Sequence, residues 1–313
     1  MSTLEYKIIP YSQSYESALL ALENDAPQGR WIQLEMIKDS FKRRSENFEK
    51  HQIYLAVDFK GKLLGTLAVS IVPITVNGEK MNVGYCYDVR VAKHARGHGL
   101  TKKMGKHAYK NFCLPNKVSN VFLTMKKGNK AVQKSAGILG LALYKYPFAY
   151  LTIPTSKRLK KKQNQSTPEN LTTTSEFCSE ASESFFHSFK GEPRVWRADL
   201  IYRLKIRKLH FLIKFVNYIL ALFSAKSKQL PNEGDELCFG ILAYDNMPTK
   251  DEINSILAHL QEENIGYLLV ACTKKSNLYS LLKPIAINSY AYEICSTFPL
   301  DSNDSISLDV RCL

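Results

Sequence analysis

The sequence lacks an apolar stretch that could cross a bilayer as a helix. The longest one, Phe211–Phe223, is interrupted by Lys214 and Asn217, whereas a spanning helix needs roughly 20 apolar residues. Residues 1–11 also lack the basic region, apolar core and cleavage site of a secretion signal. We therefore expect a chain that is neither secreted nor inserted in a membrane.

Cysteine pairs are also missing. The seven cysteines are scattered without a Cys-x-x-Cys motif, and His94 and His98 have zinc-finger spacing but no cysteine pair to complete a site. This pattern predicts neither a disulfide framework nor a metal site, and it favours a reducing compartment. The expectation is a cytoplasmic protein without a bound metal.

Acidic residues are scarce relative to basic ones. The net charge is +14, yet residues 230–313 contain five Lys or Arg against twelve Asp or Glu. The excess of positive charge therefore lies before residue 230. A basic surface suits nucleic acid, anionic lipid or a polyphosphate cofactor, and charge alone does not distinguish these partners from a solvated face.

The first half of the sequence contains alternating strand and helix patterns. Their periodicity predicts an α/β fold, and Asn77-Gly78 predicts a tight hairpin between two strands. The predicted strands are Tyr6–Ile9, Ile53–Val57, Leu63–Val72, Met81–Val91, Val118–Met125 and Leu141–Ile153, and the predicted helices are Tyr15–Leu22, Trp31–Phe41, one that begins near Gly99, and Asn129–Leu139.

The second half divides into three parts by composition. Residues 156–192 are basic and then rich in Ser and Thr, which predicts a linker. Residues 193–229 alternate cationic and apolar residues and are predicted to form a basic amphipathic helical segment. Residues 230–313 are predicted to form a smaller α/β lobe with strands at Leu237–Tyr244, Tyr267–Thr273, Ala286–Thr297 and Ser305–Cys312, and helices at Thr249–Glu263 and Asn277–Leu282.

The stretch VRVAKHARGHGLTKKMGKHAYKNF, residues 89–112, places glycines where a strand gives way to a helix. Such a turn directs backbone N–H groups toward an anion, most readily a phosphate. The P-loop does not fit, because Gly99 and Gly105 are separated by five residues rather than four. The dinucleotide fingerprint does not fit either, because Lys102 stands where its third glycine belongs.

The turn Arg96-Gly97-His98-Gly99 resembles the signature of the GNAT superfamily of N-acyltransferases, with His94 in place of its usual first polar residue. The order of predicted elements in residues 1–155 is similar to that family's as well. The resemblance implies a GNAT domain over 1–155, with a mixed central sheet and flanking helices. It also implies that residues 230–313 are a degenerate, cofactor-free lobe resembling half of that fold, since no glycine pair precedes its first helix.

The resemblance implies that acetyl-CoA or another acyl-CoA is the donor. Backbone N–H groups of the glycine turn would hold its pyrophosphate, and the backbone of the preceding strand would pair with its pantetheine. The implied cofactor-binding residues are Val89, Val91, Arg96, Gly97, His98, Gly99, Leu100, Thr101 and Asn129.

The resemblance further implies direct attack of an amine on the thioester, with a backbone N–H facing the oxyanion. The candidate catalytic residues are Asp88, Tyr85 and Tyr87, and strand alternation predicts that the two tyrosines share a face that Asp88 does not. Ala136 stands where the family usually carries a tyrosine that protonates the departing thiolate. The proton donor is therefore not identified from the sequence.

The function predicted from these observations is transfer of an acetyl or other acyl group to a primary amine of a small molecule or peptide. The alternative is a non-catalytic acyl-CoA-binding or nucleic-acid-binding module, although no specific nucleic acid is predicted. Residues 200–223 would either contact a membrane surface peripherally or pack their apolar face on the protein itself.

Overall fold

The structure is a computed structural model that describes residues 5–25, 32–129, 143–160, 169–178, 180–189, 193–215 and 232–313. Over these residues the strands form one sheet of thirteen strands and one of three. Helices pack against the large sheet. The predicted α/β class with a mixed central sheet and flanking helices is confirmed.

The strands follow the predicted positions over most of the chain. They are β1 (Lys7–Pro10), β2 (Ile32–Ile37), β3 (Lys50–Val57), β4 (Leu63–Val76), β5 (Glu79–Val91), β6 (Val121–Lys126), β7 (Tyr144–Pro154), β8 (Leu171–Thr174), β9 (Phe186–Ser188), β10 (Arg194–Trp196), β11 (Arg203–Leu209), β12 (Glu236–Leu237), β13 (Phe239–Ala243), β14 (Tyr267–Cys272), β15 (Asn288–Ser296) and β16 (Ile306–Asp309).

The helices with defined bounds are α1 (Glu16–Asn24), α2 (Leu100–Ala108), α3 (Lys250–Glu262) and α4 (Asn277–Leu282). Gly99 directly precedes α2, and Thr249 caps α3 through a capping box with Glu252. A short helical segment also occupies residues 211–215. The helix predicted for Asn129–Leu139 lies outside the described residues except for Asn129.

The large sheet has the order β1-β3-β4-β5-β6-β15-β7-β14-β13-β10-β9, and β16 pairs with β4 and β8. The pairs β5–β6 and β13–β14 are parallel, whereas most other pairs are antiparallel. β15 comes from the C-terminal part of the chain, yet it lies between β6 and β7 of the N-terminal part. The two parts of the chain therefore build one sheet, and the predicted domain boundaries stay a prediction.

Three predicted segments differ from the structure. The helix predicted for Trp31–Phe41 is wrong over Ile32–Ile37, because that segment is β2 and pairs with β11 in the small sheet. The amphipathic helix predicted for residues 193–229 is wrong over β10 and β11 for the same reason. The predicted linker 156–192 contains β8 and β9 of the large sheet. In each case pairing with a distant segment decides the local structure.

The hairpin of β4 and β5 carries two features that matter for the site. At its tip, Asn77 and Gly78 have φ values of 51° and 84°, as a tight hairpin turn requires. Toward its open end, Leu67 of β4 faces both Asp88 and Val89 of β5, since the register shifts between Thr66 and Ala68. This two-against-one arrangement is a β-bulge.

The large sheet separates two apolar clusters. One lies on the α2 side and includes Leu100 and Met104. The other is rich in aromatic residues and includes Tyr85, Tyr87 and Phe122. An extended ligand that passes between β5 and β6 would therefore reach from the α2 side of the sheet to its aromatic side.

Two further observations bear on the sequence expectations. None of the helices in the described ranges is long and apolar enough to span a bilayer. The seven cysteines, all within the described residues, are unpaired.

Candidate active site

The two parallel strands β5 and β6 are hydrogen-bonded over a short ladder and then separate. They pair at Gly84 with Val121 and at Tyr85 with Phe122, and no further pairing between them is found in the described residues. Beyond Tyr85, the β6-facing edge of β5 therefore has no neighbouring strand among the described residues. An extended molecule could pair with this edge as an additional strand.

The glycine turn lies at the end of β5, where α2 begins. Gly97 and Gly99 have φ values of 86° and 69°, and a Cβ atom added to either would meet no other atom within 4 Å. Helix geometry leaves the first N–H groups of α2 without an intrahelical acceptor. Open space, exposed backbone and the positive end of α2 together form a cradle that fits a pyrophosphate.

Side chains around the cradle are cationic. Arg96 lies against the end of β5, because its Nε donates to the Val91 carbonyl oxygen at 3.1 Å. Lys103 Nζ lies 5.1 Å from the centre of the Tyr6 ring. Val91, Arg96, Gly97 and Gly99 thus lie together at the end of β5.

Asn129 follows β6, and its backbone N–H donates to the Lys126 carbonyl at 3.2 Å. The roles of this residue and of the other predicted cofactor-binding residues stay predictions. Ala136 lies outside the described residues.

The bulge moves Asp88 to the face of the sheet opposite to the one predicted from strand alternation. Asp88 has a φ of 47°, and it lies on the aromatic side with Tyr85 and Tyr87. Val89 and Val91 instead pack in the cluster on the α2 side. The expectation that Asp88 does not share a face with the two tyrosines is therefore wrong, because one extra residue in β5 reverses the alternation.

A buried charge network surrounds the Asp88 carboxylate. Lys38 Nζ, which is fully buried just after β2, lies 2.8 Å from Asp88 Oδ2 and 3.6 Å from Glu23 Oε2. Arg44 Nη1 lies 3.2 Å from Asp88 Oδ1, and Arg90 pairs with Glu23. Sequence reasoning missed Lys38, Arg44 and Glu23, because nothing in the local pattern links them to β5.

Burial alone would raise the pKa of Asp88. The positive charges of Lys38 and Arg44 outweigh this effect and hold the pKa of the carboxyl well below its usual range. Asp88 is consequently ionised at neutral pH and is a weak proton acceptor.

Arg44 joins the network to the two tyrosines. Its Nη2 donates to the Tyr85 hydroxyl at 3.0 Å and to a main-chain oxygen of Leu313 at 3.2 Å. Its guanidinium also lies 5.0 Å from the centre of the Tyr87 ring. Burial raises the pKa of Tyr85 and of Tyr87 well above the usual tyrosine range, so both remain protonated at neutral pH.

Two other titratable residues near the cleft are less suited to proton transfer. Burial raises the pKa of the Cys86 thiol to about 12, which disfavours the thiolate that a nucleophile needs. Burial lowers the pKa of His107. Its ring packs edge-on against the ring of Tyr54, with the two ring centres 4.9 Å apart, on the α2 side of the sheet. Neither contacts the Asp88 network.

A second polar cluster lies far from the cleft. His187, His259 and Glu263 place one ligand atom each within 4.8 Å of one another, which resembles a metal site. However, Arg197 Nη1 lies 2.6 Å from His187 Nε2 and also contacts Glu263. The guanidinium therefore takes the position between these ligand atoms that a metal ion would need.

Comparison with known proteins gives one family match. Residues 10–119, from the end of β1 to just before β6, match the family model described as an acetyltransferase (GNAT) domain. No curated protein matches the sequence.

Solved structures extend the similarity to nearly the whole chain. N-myristoyltransferase of Saccharomyces cerevisiae with bound myristoyl-CoA is 10% identical, covers 98% of this chain and 85% of its own, and has a TM-score of 0.55. A second structure of that protein, with myristoyl-CoA and inhibitors, is also 10% identical, covers 96% and 82%, and has a TM-score of 0.57. At this identity the similarity concerns the fold alone, and with the family match it confirms the predicted GNAT fold.

The charge network predicts an effect on stability. Replacing Lys38 with Met leaves Asp88 and Glu23 buried with fewer positive partners, so the free energy of unfolding in urea should fall by about 3 kcal/mol or more. The control is Lys42→Met, because Lys42 forms an exposed pair with Glu46 and its removal should change little. Equal stability of the two variants would contradict a structural role for Lys38.

The lowered pKa of Asp88 predicts a pH dependence. Its stabilising effect is present above its ordinary pKa of about 4 and is lost as the pH falls toward the folded-state pKa. Asp88→Asn should therefore destabilise the protein at pH 7, and the difference from wild type should narrow below about pH 4. Urea denaturation of both proteins between pH 7 and about pH 3 measures this difference in the free energy of unfolding. The exposed Asp39→Asn serves as the control, and a difference for Asp88→Asn that is independent of pH would contradict the charge pairing.

Proposed function

We propose that this chain, whose residues 10–119 match a GNAT acetyltransferase domain model, is an N-acyltransferase of the GNAT superfamily. It moves an acyl group from acyl-CoA to the primary amine of a small molecule or peptide. The observation that carries this proposal is the pair of positive-φ glycines before α2, beside the edge that β5 exposes where it parts from β6.

An acyl-CoA supplies an acyl group that is already activated as a thioester. Backbone N–H groups from Arg96 to Thr101 would hold its pyrophosphate, and the β5 backbone at Val89 and Val91 would pair with pantetheine. Arg96 would have to share the Val91 carbonyl or release it. The myristoyl-CoA bound to the yeast enzyme of similar fold supports an acyl-CoA donor. Acetyl-CoA and longer acyl-CoAs both fit this proposal.

The bulge at Asp88 is proposed to provide the oxyanion donor. A bulge disturbs the regular alternation of backbone groups along a strand, and we propose that the backbone N–H of Asp88 or Val89 faces the cleft, on the side where β5 has separated from β6. Such a fixed donor stabilises the negative charge that develops on the thioester carbonyl. Lys38 and Arg44 would then fix the position of this donor by holding the Asp88 side chain.

The three candidate catalytic residues divide by protonation state. Asp88 is ionised but weakly basic, whereas Tyr85 and Tyr87 stay protonated. We assign proton removal from the amine to a water chain rather than to Asp88, and we assign Asp88 to the positioning of the bulge. The Tyr87 hydroxyl contacts the hydroxyls of Ser45 and Ser70, whereas the Tyr85 hydroxyl accepts from Arg44, so we assign the hydrogen bond to a reacting group to Tyr85.

A second function, binding of acyl-CoA without transfer, is favoured by one observation. Ala136 occupies the position of the family's usual proton donor. The pKa of Asp88 lies far below neutrality and that of Tyr87 far above it, so neither residue exchanges a proton readily at pH 7. A thiol-release assay over amines, amino sugars, amino acids and peptides separates the two functions. Thiol release that depends on the amine supports transfer. Calorimetric binding of acetyl-CoA or myristoyl-CoA without any release supports the binding module, and no binding of either contradicts both.

The cradle predicts which glycines the donor requires. Gly97→Ala and Gly99→Ala place a side chain in the open space before α2, so acyl-CoA affinity should fall roughly tenfold or more in titration calorimetry. Gly78→Ala is the matched control, because Gly78 has a similar φ of 84° and open surroundings in the distant hairpin. Gly105→Ala within α2 is a second control. Equal affinity of all four variants would contradict the proposed pyrophosphate site.

A further inference from the structure

The end of the small sheet exposes a cluster of large apolar side chains. Phe211 is 68% exposed, Leu212 45% and Phe215 61%. Phe211 and Phe215 are four residues apart in the helical segment 211–215, so their side chains lie on the same side of it. We call residues 207–215 the tip. Ile32, which pairs with Leu209, adds a further exposed apolar side chain beside it.

Positive charge is concentrated at the tip. Arg207 and Lys208 are exposed, and no ion pair of either is found in the described part of the chain. Lys214 pairs with Glu233 at 2.8 Å. At the opposite end of β11, Arg203 contacts both Asp39 and Glu236. Glu233 also accepts from the Leu209 N–H, so its carboxylate lies at the tip and offsets part of the charge of Arg207, Lys208 and Lys214. The charges are thus paired at one end of the small sheet, and cations outnumber this carboxylate at the other.

The sequence around the tip continues this pattern. Residues 200–232 contain seven Lys or Arg and no Asp or Glu. Apolar side chains flanked by cations are typical of segments that lie in the interface of an anionic bilayer, where Lys and Arg reach the phosphates with their long side chains.

We propose that the tip docks on an anionic lipid bilayer. Phe211, Leu212 and Phe215 enter the interfacial region, and Arg207 and Lys208 contact lipid phosphates. A single-stranded nucleic acid fits less well, since stacking on bases uses flat aromatic platforms, whereas the aliphatic side chains of Leu212 in the tip and Ile32 beside it lie next to the two phenylalanine rings. The solvent face of β11 offers no cationic groove, because its register places Lys205 opposite Glu35 and Glu236.

Docking at the tip would orient the candidate active site. β2 begins at Ile32 beside the tip and leads to Lys38, which contacts Asp88. Six residues of strand span about 20 Å. The proposed cleft would thus lie within one short strand of the bilayer surface. The docking itself does not depend on the proposed acyl transfer.

Co-sedimentation with vesicles tests the proposal on the full chain. Wild-type protein should bind vesicles of phosphatidylcholine mixed with phosphatidylglycerol, and should bind pure phosphatidylcholine weakly. Phe211→Ser combined with Phe215→Ser should lower the affinity roughly tenfold or more. Phe59→Ser is the matched control, because Phe59 is 71% exposed on a turn of the large sheet.

The charge contribution has its own variants. Arg207→Gln combined with Lys208→Gln should weaken binding to the anionic vesicles and reduce its salt dependence. The control is Lys60→Gln combined with Lys62→Gln, because these lysines are exposed on the same turn as Phe59. This double variant should leave the vesicle affinity and its salt dependence unchanged.

Three results would overturn the proposal. The first is wild-type protein that binds neither kind of vesicle. The second is unchanged vesicle binding by the double phenylalanine variant. The third is a protein that ignores vesicles but forms a dimer, or binds a single-stranded oligonucleotide, through the same tip residues, as light scattering and a gel-shift assay of the variants would detect.

Discussion

The bulge at Asp88 and the charges that hold it connect every part of the candidate site. Asp88 has a left-handed backbone conformation that is costly for a residue with a side chain. Its buried carboxylate would also be costly without positive partners. Lys38 follows β2 and Arg44 lies in the segment after it, so both arrive from outside the β4–β5 hairpin. The bulge is therefore stable only when these segments are in place. A change in the contacts of Lys38 would therefore shift the backbone of β5 at the point where β5 separates from β6.

The local parts of this arrangement could be predicted from the sequence, and the long-range parts could not. Gly97 and Gly99 stand between a strand pattern and a helix pattern, and their positive φ follows from neighbours in sequence. The capping box at Thr249 is equally local. β2 and β11 pair across about half of the chain, and each alone carries a spacing that suits a helix as well as a strand. Only the presence of the partner decides between them.

The face of Asp88 illustrates a different limit. Tyr85, Tyr87, Val89 and Val91 occupy alternate positions, as in an uninterrupted strand. The bulge nevertheless places the two tyrosines and the two valines on opposite sides of the sheet. The available signal that the alternation breaks here is a carboxylate, Asp88, between the tyrosines and the valines of a strand that also carries Arg90. The signal names the residue but not its partners, since Glu23, Lys38 and Arg44 become neighbours only in the folded chain.

The position of β15 changes how the C-terminal part should be understood. A separate lobe that packs on a complete first domain would leave β6 and β7 adjacent, whereas here β15 lies between them and pairs with both. Arg44 also donates to main-chain oxygens of Arg311 and Leu313, and Thr124 of β6 donates to the Cys312 carbonyl. Residues near the C-terminal end thus cover the aromatic side of the cleft. Removing residues 232–313 would leave β6 without β15 and β7 without either of its partners, β14 and β15, and it would uncover the buried tyrosines. Because the first half would lose its sheet continuity as well as this cover, residues 1–155 are better regarded as part of one folding unit than as an independent cofactor-binding module.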